Sequence, residues 1–224
     1  QVVALQTSQL NALATSNIQA LSSDQVVALT TNQVAGISTR NIAALTTASI
    51  AVLTTDQIGA VSSANLAALS SVQVKALSTD NVVALSTYQV ANLTTGTMAA
   101  LSTGQLQAIE TGDIQALTTR QLASISTSTV QALSTDQVVA LTTDQIANLS
   151  TGNLKALTSA QVQAIETADI RVLTTGQLGS LVSSTVSALT TDQVVALQTS
   201  QLNALATSNI QALSSDQVVA LTSD

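Results

Sequence analysis

Cysteine, proline, histidine, phenylalanine and tryptophan do not occur in this chain, and tyrosine occurs once, at Tyr88. Each absence removes a class of chemistry. Without cysteine there is neither a disulfide nor a thiolate nucleophile. Without histidine the commonest general base and metal ligand is gone. Without large aromatic side chains there are no anchors around which a globular core closes, so the 46% of hydrophobic residues predict a thin, linear core. Charge is sparse as well: 8% of residues are charged, Lys and Arg number 5 against 12 acids, and the net charge is −7. That balance argues against nucleic-acid backbones and anionic membrane surfaces, which need clustered Lys and Arg. No apolar run reaches the roughly 18 residues of a membrane span, so membrane insertion is not expected. The chain starts at Gln1 without a signal-peptide pattern and reads as a fragment of something longer.

What is present is a beat of eight. Residues 133–148, LSTDQVVALTTDQIAN, are two copies of a unit that recurs without a gap from Leu5 to Ala220, 27 times in all. Position one is Leu in 22 octads and Ile or Val in five (Ile37, Val61, Ile109, Ile125 and Ile165), and position six is always Val, Ile, Leu or Met. Those two form the expected core. Position three is always Ser or Thr, position five is always polar (Gln in 15), and position eight is Ala in 20. The variation sits at positions two, four and seven, which carry every basic residue, Tyr88 and most acids, so they are expected to face solvent. Larger periods overlie this one. Residues 1–30 recur letter for letter at 193–222, a 192-residue offset, and the block 85–140 matches 141–196 octad by octad, a 56-residue period. With no proline, linker or composition break, we expect one continuous repeat array over residues 1–224.

An octad cannot be one step of a long helix. Eight residues at about 100° each advance about 800°, so the apolar stripe would drift by about 80° per repeat and no face would stay buried. The sequence instead predicts an all-α fold, an elongated solenoid with one short capped helix per octad. Position two or three supplies the N-cap, and the greater uniformity of three favours it. Asp at position four (Asp24, Asp56, Asp80, Asp136, Asp144, Asp192 and Asp216) suits the first turn, and Gln at five can reach back to an orphan amide. If position two is the cap, positions one and six occupy the places of a hydrophobic staple. The alternative is a β-solenoid, with positions one, three and five facing in and Thr and Gln ladders between rungs. Ala at eight and the lack of a recurrent corner glycine weigh against it. In either architecture two aliphatic side chains cannot offset the entropy of fixing eight backbone residues, so stacking must supply the difference. Gln alternates with a shorter residue at position five over Gln89, Thr97, Gln105, Asp113, Gln121, Thr129 and Gln137, which suggests two octads per superhelical turn.

Few residues invite a chemical reading. Glu110 with Asp113, and Glu166 with Asp169, pair carboxylates three apart in equivalent octads, but calcium wants six or more oxygens and no Asp-x-Asp-x-Asp loop is near. We read them as a variant cap or as solvated acids. No His or well-placed Lys activates the abundant hydroxyls. We therefore assign no catalytic, cofactor-binding or metal-ligating residue and expect no enzyme and no cofactor. Asn92-Leu93-Thr94 and Asn148-Leu149-Ser150 match an N-glycan acceptor pattern, although both Asn fall at position eight, where a turn or ladder role is expected. Lys75, Lys155, Arg40, Arg120 and Arg171 are scattered and solubilising, and a single exposed Tyr88 marks no surface by itself.

Two resemblances follow from these motifs. Leu-Thr-Thr-Asp-Gln-Val-Val-Ala-Leu at 189–197 resembles the opening of the repeat in bacterial TAL effectors, LTP-x-QVVAI, which forms a short helix after its Thr-Pro. The rest of that repeat is missing, so the resemblance implies helix initiation and not DNA reading. End-to-end LTT-x-Q-[VIL]-x-A octads are similar to the arrays of very long bacterial surface and secreted proteins, often labelled adhesin-like. That implies an extracellular structural role: a secreted or cell-surface filament, stalk or adhesin spacer that self-associates. The other expectation is a solenoid binding scaffold for protein or glycan, for which unlike residues would cluster on one face.

Overall fold

A computed structural model describes residues 2–221. They form a short 3-10 turn, Val2–Ala4, followed by 27 short α-helices, with no strand among the described residues. The all-α expectation holds, one helix per octad, and the β-solenoid alternative does not occur. Two compact units contain these helices, Gln1–Ala116 and Leu117–Asp224, and each is built in the same way.

The helices begin at position three, as in Thr55–Ala60, Ser63–Ala67 and Ser71–Ala76. The cap is therefore position two, which corrects the preference for three. Thr54 has extended backbone (φ −74, ψ 161) and its side chain accepts from the Gln57 amide at 3.2 Å. A hydroxyl reaches the N–H three residues on, and from position three that donor would be an aliphatic residue already bonded inside the helix. With two as cap, the buried residues at one and six take the flanking places of a hydrophobic staple. Leu53 and Ile58 are 6% and 1% exposed.

Each helix stops without a left-handed residue, since no described residue has positive φ. The last turn tightens instead: Leu29 N–H bonds to Val26 O at 3.1 Å and Leu77 N–H to Val74 O at 3.2 Å. Position one then swings to extended backbone, as at Leu77 (φ −61, ψ 136), and turns the corner. An ending of this kind needs no glycine, which is why eight Gly suffice for 27 corners.

Three octads make a turn. Within the first unit, Thr31–Ala35 packs on Thr55–Ala60, Thr47–Ala51 on Ser71–Ala76, and Thr87–Ala91 on Thr111–Ala116. Within the second, Thr135–Val139 packs on Ser159–Ala164 and Thr191–Val195 on Ser215–Leu221. The expectation of two octads per turn is overturned. The alternation it rested on runs along the chain, whereas the position-five amide bonds between turns join residues 28 to 31 apart, so like residues need not stack. Position six faces the turn above and position five the turn below. Ile210 and Val218, with no described turn above, are 45% and 46% exposed, whereas Ile18 and Val26 are 0%. Conversely Gln9, Asn17 and Gln25 are exposed, while Gln33, Asn41 and Ser49 over them are buried.

Candidate functional site

The chain's recurring polar feature is the buried side chain at position five. Gln57, 2% exposed, shows what it does. Its Oε1 accepts from the Thr54 backbone N–H at 2.9 Å, closing a capping box on its own helix. Its Nε2 donates to three carbonyls one turn below, Val26 at 2.9 Å, Val27 at 3.1 Å and Leu29 at 2.8 Å. One side chain thus caps the start of its helix and the end of the helix beneath it. Both ends of a short helix carry orphan backbone groups, and in helices of four to seven residues nearly every group is an end. The same two-way bond recurs at Gln105 (Val74 O 2.7 Å, Leu77 O 2.9 Å) and Gln193 (Val162 O 2.8 Å, Ile165 O 2.6 Å).

Shorter residues do less. Asn65 and Asn81 each reach a single carbonyl, Ile37 O at 2.8 Å and Leu53 O at 2.9 Å. Ser49 and Thr97 bond only to their own cap hydroxyls, Thr46 at 2.8 Å and Thr94 at 2.9 Å. At Asn41 the box is broken by a neighbour, because Asn11 Oδ1 takes the Ser38 N–H at 2.8 Å and its Nδ2 donates to Gly36 O at 2.8 Å. Asn41 Oδ1 is left buried and unpartnered, although its Nδ2 still reaches Leu10 O at 2.9 Å. The reach of Gln to an orphan amide was legible in the sequence. Its second bond was not, because the acceptors are backbone carbonyls and leave no letter.

The other residues singled out by sequence stay apart. Glu110 and Glu166 are exposed, and Glu166 occupies the cap position with no side-chain cap bond. Asp113 and Asp169 are each 5% exposed, which, of the two readings as a variant cap or as solvated acids, corrects the second: position five points inward wherever a turn lies beneath it. Asn92 and Asn148 take the turn role, their Nδ2 atoms donating to Tyr88 O and Asp144 O, both at 2.8 Å. Tyr88 is 72% exposed, beside an open groove lined by Gly59, Ser63 and Ala64. The five basic residues are all exposed and dispersed. Among the described residues no three acidic, His or Cys side chains converge, and no helix is long and apolar enough to cross a membrane.

The family model described as the ALTTAQ repeat matches residues 2–39, 35–63, 62–95, 106–143, 119–151, 162–199 and 194–224. The chain belongs to the ALTTAQ repeat family. Comparison with curated proteins returns no match. The six letters of the repeat span one corner of the fold, and Ala140-Leu-Thr-Thr-Asp-Gln145 departs from them at one position. Read against the structure, they are a small residue at the corner, a core aliphatic, the N-cap, the first helical residue, an exposed residue and the side chain that ties one turn to the next. The family marks the chain as a structural repeat scaffold.

Proposed function

We propose that this ALTTAQ array is a mechanical spacer, part of a secreted or cell-surface filament, stalk or adhesin, and not an enzyme. The observation that carries the reading is the amide bond between turns. A single device, repeated in most octads of each unit, joins one turn to the one beneath, so length is added by adding octads with no new specificity required. Stability in such an array is the sum of unit and neighbour-interface terms. The dispersal of variable residues supports a spacer over a recognition groove. In the first unit the equivalent exposed residues Val27 and Val83 lie seven helices apart, on different faces of a three-helix turn. The extracellular location rests on the likeness of these octads to the arrays of long bacterial surface proteins. Self-association is expected through positions two, four and seven.

Single-molecule pulling tests the mechanical role. Extension is expected in many small steps, whole multiples of one turn, each releasing about 80–90 Å of chain for 24 residues. One large cooperative rupture would contradict it. Surface labelling of native cells tests the location, and a purely cytoplasmic signal would refute that part alone.

A further inference from the structure

We propose that the array is self-complementary end to end: the lower face of residues 7–30 in one copy seats on the upper face of residues 199–221 in a second copy. Residues 1–30 and 193–222 are identical, so the same letters occur twice, once with a turn above them and once with a turn below. At 199–221 the lower face is occupied. Gln201 Nε2 donates to Ile170 O at 3.0 Å and Leu173 O at 2.7 Å, Asn209 Nδ2 to Leu181 O at 2.9 Å, and Gln217 Nε2 to Leu189 O at 2.6 Å. At 7–30 the counterparts Gln9, Asn17 and Gln25 are exposed, and no described residue accepts from their amide nitrogens. The upper faces show the reverse. Ile18 and Val26 are fully buried, and Leu5 O accepts from Gln33 Nε2 at 2.7 Å. Their counterparts Ile210 and Val218 are half-exposed, and no described residue donates to Leu197 O. Each bare face is thus a copy of one whose cover is known.

The occupant that fits is another copy of this chain. Continuing the three-octad register sets Gln9 of the incoming copy over Val194 and Leu197, as Gln33 stands over Val2 and Leu5. Asn17 then stands over Leu202, as Asn41 does over Leu10, whose carbonyl it reaches at 2.9 Å. The incoming turn therefore brings the same residue types that already cover these letters in the first unit. At the third place Gln25 replaces Ser49 and reaches further. The acceptors are backbone oxygens, so a turn from another copy meets them as the chain's own next turn does. Ile210 and Val218 leave water in the same step, which supplies the driving force. Because the two faces differ, the contact is heterologous and propagates from copy to copy. It is distinct from the lateral contact expected through positions two, four and seven, and it applies to either face wherever that face lies bare.

Sedimentation of the 224-residue chain from about 1 to 300 μM tests this, and species larger than a dimer are expected as concentration rises. Gln9→Glu/Gln25→Glu keeps both capping bonds, because Gln9 Oε1 and Gln25 Oε1 accept from the Gln6 N–H at 2.8 Å and the Ser22 N–H at 2.9 Å, and a carboxylate accepts equally. It has no proton to give the face below. Ile210→Glu/Val218→Glu blocks the opposite face. Each variant alone is expected to keep its helical circular dichroism and to associate at least tenfold more weakly. Their equimolar mixture joins one intact upper face to one intact lower face, so it should form pairs and stop there. Thr55→Glu/Thr103→Glu, which adds the same charge at exposed first helical positions, should associate as the parent does. A parent that stays monomeric at the highest concentration would overturn the proposal. So would a Gln9→Glu/Gln25→Glu chain that associates as the parent does, the result of lateral contact alone. Two folded variants that form no pairs when mixed would overturn it, and so would loss of association in Thr55→Glu/Thr103→Glu, the mark of diffuse charge. If Ile210→Glu/Val218→Glu loses its helical signal, the Gln9→Glu/Gln25→Glu comparison decides alone.

Discussion

Replacing Gln57 by Ala removes four hydrogen bonds at one corner of the solenoid. The Thr54 N–H loses its acceptor, and the carbonyls of Val27 and Leu29 lose the Nε2 donor. Val26 O still accepts from the Leu29 N–H at 3.1 Å. Three backbone groups are stranded. A stranded buried group costs about 1–3 kcal/mol, and the low end applies at a partly exposed corner, so the change should cost about 3 kcal/mol. Ser49→Ala is the control. Ser49 is as buried as Gln57, at 3% against 2%, but bonds only the Thr46 hydroxyl through its side chain, so its loss should cost about 0.5–1 kcal/mol. The gap of about 2 kcal/mol corresponds to roughly a 30-fold difference in an opening equilibrium. Because repeat arrays do not unfold as one unit, the assay is native-state amide hydrogen exchange read segment by segment. Gln57→Ala should lower protection in two places about 30 residues apart, its own helix Thr55–Ala60 and the helix Ser23–Val27 beneath. Ser49→Ala should disturb only Thr47–Ala51. Equal losses in the two variants, or a Gln57→Ala effect confined to its own helix, would refute the two-way role of position five.

Two further predictions separate readings the sequence left together. Thr54→Val removes a cap hydroxyl and should cost about 1 kcal/mol, whereas Thr55→Val, at the exposed first helical position, should cost less than about 0.5 kcal/mol, as measured by denaturant midpoints. Among the glycines, Gly112 has nothing within 4 Å of where a Cβ would stand, and Gly179 would place one 2.9 Å from the Ala204 carbonyl oxygen. Gly112→Ala should therefore stabilise by about 0.4–1 kcal/mol through reduced unfolded-state entropy. Gly179→Ala should lower the thermal midpoint, because backbone must move to admit it.

The fold class was legible because an eight-residue beat is incommensurate with a continuous helix yet long enough for one capped turn and a corner. Leu53 and Ile58 announced themselves as core by chemistry alone. Two local features misled. Position three is the most uniform hydroxyl, but uniformity is not a role. It stands at the first helical position, where the Thr79 methyl lies 4.0 Å from where a Cβ on Gly104, one turn up, would stand. The alternation of Gln89, Thr97 and Gln105 looked like stacking, but what Gln89 and Gln105 touch is carbonyl oxygen, which every residue has, and Thr97 bonds only its own cap hydroxyl. For the same reason Asp113 and Asp169 read as part of a variant cap or as solvated acids, and only the turn below them shows that they are buried.

The central claim is that turns close every three octads, and the distance between spin labels tests it most directly. The chain has no native cysteine to interfere. Labels on cysteines replacing Asp56 and Asp80, equivalent exposed sites three octads apart, should lie on stacked helices about 10 Å apart and show strong dipolar broadening. Labels replacing Asp56 and Val72, two octads apart, should lie on different faces and show little. Broadening in the second pair without the first would contradict the three-octad turn and the carbonyl bonds built on it.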